Sequence, residues 1–125
     1  EIPNYVCKEG KKHGVNNIYP VVSDISAQID LPDNSMDICL LATVLHIFSV
    51  SSKQYKLLSE IKRVIRPGGK LVVIECKKEM NSFGPPINMR ISPEELEKNL
   101  QIYDFRKKDY VDLGSNYMLM FSVNK

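Results

Sequence analysis

The feature that most constrains this chain is an uninterrupted apolar run at residues 38–41, Ile-Cys-Leu-Leu, which follows a polar turn. The turn, Pro-Asp-Asn-Ser at residues 32–35, consists of residue types that favour tight local backbone bonding. A strand with one solvent-exposed face alternates apolar and polar residues. This run does not alternate, so it predicts a parallel strand covered on both faces. The small residues Ala42 and Thr43 come next, and open α/β sheets bind ligands at the carboxyl ends of such strands. Residues 41–46 are therefore expected to form one wall of any site.

The same pattern recurs at residues 70–75, where Lys-Leu-Val-Val-Ile-Glu predicts a second buried parallel strand. Between the two runs a set of apolar residues recurs at helical spacing and predicts one apolar helix face: Leu57, Leu58, Ile61, Val64 and Ile65. Pro67-Gly68-Gly69 is expected to end this helix. A helix between two buried strands favours a right-handed βαβ unit.

The amino-terminal third predicts one helix end and one strand. Residues 11–14, Lys-Lys-His-Gly, are typical of a helix end with a glycine cap. Residues 18–22 are rich in β-forming types, although Pro20 confines this strand to an edge or a strand start. Asp24 leaves the strand, and residues 26–34 are expected to be loop.

The carboxyl-terminal third predicts a helix and an antiparallel strand pair. Ser92 is an N-cap residue type, a proline follows it, and Glu95 completes a capping box, so a short helix begins there. Strands are expected at residues 105–111 and 117–123, joined by a hairpin-like turn. Residues 77–90 form a long connection with the character of a flap or loop.

Composition bounds the function classes. The 125 residues fit one domain, and a formal net charge of +2 is too small to indicate a nucleic-acid partner. No apolar run approaches the roughly 20 residues of a membrane span, so no membrane partner is expected. Cys7, Cys39 and Cys76 are odd in number and lack C-x-x-C spacing. Neither a metal site nor a disulfide is therefore expected, and a reducing cytoplasm is the expected compartment.

Four features occur in a characteristic order along the chain: His-Gly-Val-Asn-Asn-Ile at residues 13–18, Asp24-Ile25, the segment from Leu31 through the apolar strand to Val44-Leu45-His46, and Ile-Arg-Pro-Gly-Gly-Lys-Leu at residues 65–71. Together they resemble the class I S-adenosylmethionine-dependent methyltransferases, and within them the small-molecule and quinone-type branch. The resemblance covers nearly the whole chain. It implies an α/β fold with a Rossmann-like methyltransferase sheet, mostly parallel with a C-terminal antiparallel strand, and S-adenosylmethionine as cofactor.

One family element has no counterpart here. In the family, a glycine-rich loop after the first strand receives the methionine part of the cofactor, and no GxG motif occurs in this sequence. The resemblance therefore predicts a sheet truncated at the N-terminus, with residues 1–125 forming a single partial methyltransferase-like domain. Weak or absent cofactor binding and activity are expected of this chain alone. The alternatives are a non-catalytic methyltransferase-like assembly module and, less consistent with the terminal antiparallel strand, a dehydrogenase-type nucleotide-binding domain.

The family's strand order also has a consequence for assembly. It places two further strands between the strands expected at residues 18–22 and 38–41. Without them, the strand at 38–41 is an apolar open edge, a template for pairing with another chain. A homo-oligomer is therefore expected, either through that edge or through a swapped amino-terminal segment.

The resemblance assigns the cofactor site to five residues. Asp24 would accept a hydrogen bond from the exocyclic amine of adenine, and Ile25 would pack on the ring. Leu41, Ala42 and Val44 would line the cofactor and acceptor side. The alternatives are a turn-forming role for Asp24 and plain core packing for the four apolar residues.

The sequence does not assign a catalytic role to any residue. Methyl transfer needs alignment and exclusion of water rather than a nucleophilic side chain, because the sulfonium is already activated. His46 and Glu75 are the candidates: a histidine can orient an acceptor or take its proton, and Glu75 ends a buried strand at the ligand-bearing edge. A packed, hydrogen-bonded histidine and an exposed strand end are the alternatives. Arg90 is a further candidate, for an anionic substrate. The acceptor is expected to be a small molecule, recognised by residues 79–100.

Overall fold

A computed structural model describes residues 2–24, 27–48, 53–80 and 84–125. The helices in these ranges are α1 (Ile2–Lys12), α2 (Leu45–Phe48), α3 (Lys53–Val64) and α4 (Pro93–Gln101), with a 3-10 turn at Ile87–Met89. The strands are β1 (Met36–Ala42), β2 (Ile65–Cys76), β3 (Phe105–Leu113) and β4 (Asn116–Val123). None of the helices in the described ranges has the length and apolarity to cross a membrane.

The four strands form one sheet in the order β1, β2, β4, β3. β1 and β2 are parallel neighbours, with α2 and α3 between them in the chain, so the predicted βαβ unit is confirmed. β4 is antiparallel to both β2 and β3, and β3 and β4 form the predicted terminal hairpin. The α/β sheet with a C-terminal antiparallel strand is confirmed, and within these four strands one pairing is parallel and two are antiparallel.

The connection from α3 to β2 differs from the prediction. The helix ends at Val64 and the strand begins at once, so Pro67-Gly68-Gly69 lies inside the strand instead of ending the helix. Met36 pairs with Ile65, whereas Ile38 pairs with Lys70, so residues 66–69 bulge out of the ladder. Gly69 is required there, because a Cβ atom would lie 2.8 Å from the backbone oxygen of Asp37.

The strand predicted at residues 18–22 is not present. Residues 15–24 carry neither helix nor strand, and Tyr19, Val21 and Val22 are exposed. A β-strand needs a neighbouring backbone to complete its hydrogen bonds, and each of the four described strands pairs only with the others. The β-rich composition of this segment therefore has no ladder to join within the described chain.

The hydrophobic core lies on the face of the sheet that carries α2, α3 and α4. It contains Leu41, Leu45, Leu57, Leu58, Ile61, Val64, Ile65, Leu71, Val73, Ile91, Leu96, Leu100, Phe105, Tyr117, Leu119, Phe121 and Val123. The predicted capping box at Ser92 and Glu95 is formed, and α4 contributes Leu96 and Leu100 to this core.

The two parallel strands differ in how far their side chains are buried. β2 is covered on both faces, as predicted, because Leu71 and Val73 lie in the core and Val72 is only 9% exposed on the opposite side. The prediction of two covered faces is wrong for β1, where Ile38 and Leu40 are 62% and 58% exposed. β1 is also an edge of the sheet, and these exposures show that its second face is open among the described residues.

Candidate functional site

The candidate site lies where β1 and β2 end side by side. Ala42, the last residue of β1, pairs with Ile74 in the parallel ladder, and β2 continues past it to Cys76. Thr43 then turns the chain into α2 with a φ of 55°, and its N–H donates to the Ile74 carbonyl at 2.7 Å. A β-branched residue rarely adopts this backbone conformation, so the turn could not be predicted from the residue type.

Glu75 and His46 meet at this turn. His46 Nδ1 lies 2.9 Å from Glu75 Oε1, and the His46 backbone N–H donates to Glu75 Oε2 at 3.3 Å. The backbone N–H of Leu45 is a further donor to the same carboxylate. Glu75 therefore satisfies the first N–H groups of α2 and bonds the imidazole at the same time.

The pair is buried to different degrees. The Glu75 side chain is 1% exposed and the His46 side chain 11%. Burial raises the pKa of the Glu75 carboxyl above its usual value, while the imidazole of His46 and the backbone donors oppose that rise. The exposed strand end considered for Glu75 is therefore wrong, and the packed, hydrogen-bonded state considered for His46 is confirmed.

The five predicted cofactor residues do not share one environment. Leu41 is 8% exposed and belongs to the core, and Val44 is half-buried against it. Ala42 and Asp24 are exposed, and the Asp24 backbone carbonyl accepts from the Ala27 N–H at 3.0 Å. Ile25 lies outside the described residues. Leu41, Ala42 and Val44 are brought together at the end of β1, whereas Asp24 lies on the segment without regular structure.

Arg90 has a structural role. It is only 6% exposed, and its guanidinium donates to the backbone carbonyls of Pro85 at 2.8 Å, Glu79 at 2.9 Å and Lys77 at 3.2 Å. These bonds hold the two described ends of the 77–90 connection against each other. A guanidinium engaged with three carbonyls is not displayed for an anionic substrate, so that hypothesis is not supported.

The remaining metal-binding or reactive side chains are dispersed. Within the described residues, no three histidine, cysteine, aspartate or glutamate side chains form a group that could hold a metal ion. Cys7, Cys39 and Cys76 are free thiols. Burial raises the pKa of the Cys39 thiol to about 11, so this cysteine is a small core residue rather than a nucleophile.

Known proteins identify the family to which this geometry belongs. A model of the methyltransferase domain matches residues 2–73, which is more than half of the chain. The sequence matches no curated protein. Among solved structures, a SAM-dependent methyltransferase from Aquifex aeolicus is 30% identical with a TM-score of 0.84, over 97% of this chain and 63% of that one.

Two further structures share the fold. A putative type 11 methyltransferase from Sulfolobus solfataricus is 24% identical, with a TM-score of 0.71, over 100% of this chain and 69% of that one. The 1,6-didemethyltoxoflavin-N1-methyltransferase of Burkholderia thailandensis is 16% identical, with a TM-score of 0.73, over 96% of this chain and 56% of that one. The chain thus spans less than two thirds of the Aquifex protein. With its parallel strand pair, its terminal hairpin and the family match over residues 2–73, the chain belongs to the methyltransferase-domain family.

Proposed function

We propose that the chain is the carboxyl-terminal portion of a class I methyltransferase that transfers a methyl group from S-adenosylmethionine to a small-molecule acceptor. The observation that carries the proposal is the family match, combined with a polar pair placed where two parallel strands end. The Aquifex relative is SAM-dependent, and the Burkholderia structure holds S-adenosylhomocysteine and 1,6-didemethyltoxoflavin, a small molecule.

The described residues fit part of such a cofactor site. Ala42 is exposed and has no side chain beyond Cβ, so a ligand can approach the backbone at the end of β1. Asp24 is exposed on the segment at residues 15–24 that precedes β1. Its carboxylate can accept a hydrogen bond from an exocyclic amine. In the proposal these two residues and Ile25 contact the nucleoside, while Leu41 and Val44 support the wall from the core side.

When bound, the cofactor supplies a methyl group already activated on a sulfonium. The residues of this chain align the acceptor and exclude water. Because the 125 residues contain no glycine-rich GxG loop for the methionine end, the isolated chain binds the cofactor weakly and has little or no activity.

The experiment is a nuclear magnetic resonance titration of the 125-residue chain with S-adenosylhomocysteine up to millimolar concentration. The expected result is a set of amide shift changes at Asp24, Ala42 and Val44, with Gly114 in the distant hairpin turn as the internal control. An Asp24→Ala variant is expected to lose most of these changes. No change at any residue would contradict the proposed function, whereas tight binding by calorimetry would contradict only the weak-binding part.

The edge of β1 favours a second proposal, that the chain self-associates. A non-catalytic methyltransferase-like assembly module would also require self-association. An antiparallel β1–β1 pair centred on Cys39 places Ile38 of one copy opposite Leu40 of the other, and Met36 opposite Ala42. Such a two-fold contact is self-complementary, and it brings together the two exposed large apolar residues of the strand. Light scattering is expected to give twice the 14.3 kDa chain mass, and a monomer at high concentration would contradict the pairing.

The proposed compartment is the reducing cytoplasm. The supporting observation is that all three cysteines are free thiols, one of them on the exposed surface of α1. Expression in an oxidising compartment is expected to produce dimers linked through Cys7, which a reductant would reverse.

A further inference from the structure

We propose that Arg63 is a positioning residue, which holds residues 29–33 in one conformation and thereby presents Asp24 to the nucleoside of the cofactor. Arg63 and Glu60 on α3, together with the segment at residues 29–33 that they bind, are called the loop clamp. The inference deepens the proposed function. The role of Asp24 rests on that function, whereas the conformation that the loop clamp holds does not.

The guanidinium of Arg63 binds a segment that has neither helix nor strand. Its Nη1 donates to the Leu31 carbonyl and to the Asp33 carboxylate, each at 2.8 Å, and its Nη2 donates to the Ile29 carbonyl at 2.7 Å. Two backbone carbonyls and one carboxylate of the same segment therefore share one rigid, planar cation. A lysine ammonium carries the same charge but lacks this planar fork of donors, so it cannot reproduce the arrangement.

Glu60, which lies one helical turn before Arg63, binds both the guanidinium and the same segment. Its Oε2 accepts from Arg63 Nε at 2.8 Å, and its Oε1 accepts from the Ile29 backbone N–H at 2.7 Å. The N–H and the carbonyl of Ile29 are thus both bonded to side chains of α3. The side chains of Arg63 and Glu60 are only 24% and 19% exposed, so salt screens their interaction less than it screens a fully exposed pair.

A short stretch of chain connects the loop clamp to Asp24. The Ala27 N–H donates to the Asp24 carbonyl at 3.0 Å, so the chain turns back between these two residues. Ile29 follows Ala27 by two residues, and its partly buried side chain packs against the core. The described residues on either side of the turn, 15–24 and 27–35, carry neither helix nor strand. The loop clamp therefore supplies an anchor that regular backbone structure does not supply here.

The anchor has a consequence for cofactor affinity. A ligand that meets a site already in its bound conformation does not have to order that site when it binds. If the site has the competent conformation in only a fraction of the molecules, the apparent affinity falls by that fraction. Without the loop clamp, a competent fraction of about one in ten would weaken binding of the nucleoside about tenfold.

The first test is ¹⁵N relaxation of the 125-residue chain without cofactor. In the parent chain we expect order parameters of about 0.85 for the backbone amides of residues 29–33, as in rigid backbone, and in an Arg63→Lys variant we expect values below about 0.6. Arg66→Lys is the matched control, because Arg66 lies one helical turn further on and its Nε donates to the Asp37 carboxylate at 2.7 Å. It is expected to leave these order parameters unchanged.

The second test is the titration with S-adenosylhomocysteine, followed at the Asp24 amide. Arg63→Lys is expected to raise the dissociation constant about tenfold, whereas Arg66→Lys should bind like the parent chain. Urea denaturation of the same variants separates positioning from stability, because a merely structural role would lower the free energy of unfolding and leave the affinity of the folded chain unchanged. Asp33→Asn is a milder variant, since the Asp33 side chain is 71% exposed, and it should weaken binding in the same direction by a smaller factor.

The outcomes separate the two proposals. Order parameters below about 0.6 at residues 29–33 of the parent chain overturn the loop clamp, and this result does not depend on whether any variant folds. Equal affinities of folded Arg63→Lys and Arg66→Lys variants overturn the positioning role. A rigid segment that Arg63→Lys loosens, in a chain where S-adenosylhomocysteine shifts no amide, would support the loop clamp and overturn the proposed function.

Discussion

The two edges of the sheet are chemically opposite. The β3 edge carries the exposed charged residues Arg106, Lys107, Lys108 and Asp109, and its register with β4 shifts between Lys107 and Asp109. The β1 edge has one charged residue, Asp37, whose carboxylate is bonded to Arg66 at 2.7 Å, and it exposes Ile38 and Leu40. Charges and bulges are the devices by which proteins keep an edge from pairing. β3 therefore has the features that protect a free edge, whereas β1 lacks them, as the proposed self-association requires.

The largest effect is expected within β1 itself, from two adjacent leucines. Leu41→Ala removes a side chain that is 8% exposed and packed in the core, so it should lower the free energy of unfolding by about 3 kcal/mol. Leu40→Ala removes a side chain that is 58% exposed, so its effect on the same quantity should stay within about 0.5 kcal/mol. Urea denaturation at low protein concentration measures both. Equal losses would show that the outer face of β1 is already packed.

The next effect concerns the edge as an interface. Leu40→Lys places a charge on the outer face of β1 and is expected to convert the proposed dimer to a monomer, which halves the mass seen by light scattering. Leu113→Lys is the matched control, because Leu113 is a comparably exposed leucine at the end of β3. A monomeric Leu113→Lys variant, or a dimeric Leu40→Lys variant, would locate the interface elsewhere than at β1.

A smaller effect tests how firmly β1 is held on its inner side. Because the pKa of Cys39 is raised to about 11 from an ordinary 9.0, its thiolate fraction at pH 8 is about a hundredfold below that of an ordinary thiol. Iodoacetamide is therefore expected to label Cys7, on the surface of α1, well before Cys39. Peptide mass spectrometry distinguishes the sites. Equal labelling rates would mean that β1 separates from β2 often enough to expose its inner face.

The smallest effect concerns an ion pair at the β3 edge. The Lys77 ammonium, at 2.7 Å, is the main cause that lowers the pKa of the Asp112 carboxyl, with the Gly114 N–H as a second donor. A lowered pKa gives stability that is present above the unfolded value of 3.8 and is lost as pH falls through the folded value. Asp112→Asn should therefore lower the melting temperature slightly at neutral pH, with the difference disappearing in strong acid. Because the pair is exposed, a salt-insensitive or large effect would contradict this account.

Much of the fold could be predicted because its signals are local. The Ser92 capping box, the glycine after α1 and the terminal hairpin are each encoded within a few residues, and all are formed. The strand at residues 18–22 could not be judged in this way, because strand formation depends on a neighbouring backbone that local composition does not report. The same reason explains β1, whose apolar residues predict burial while its place at an edge leaves half of them exposed.

The site shows the same division. By itself the sequence determined the βαβ unit, the family resemblance and the short list of residues with useful chemistry, since these follow from residue type, periodicity and order. Only the tertiary structure decided that Glu75 and His46, 29 residues apart, meet at 2.9 Å, and that Arg90 serves the backbone. A contact between distant residues depends on strand register and on the turn at Thr43, and a one-residue change in either would point Glu75 to the other face of the sheet.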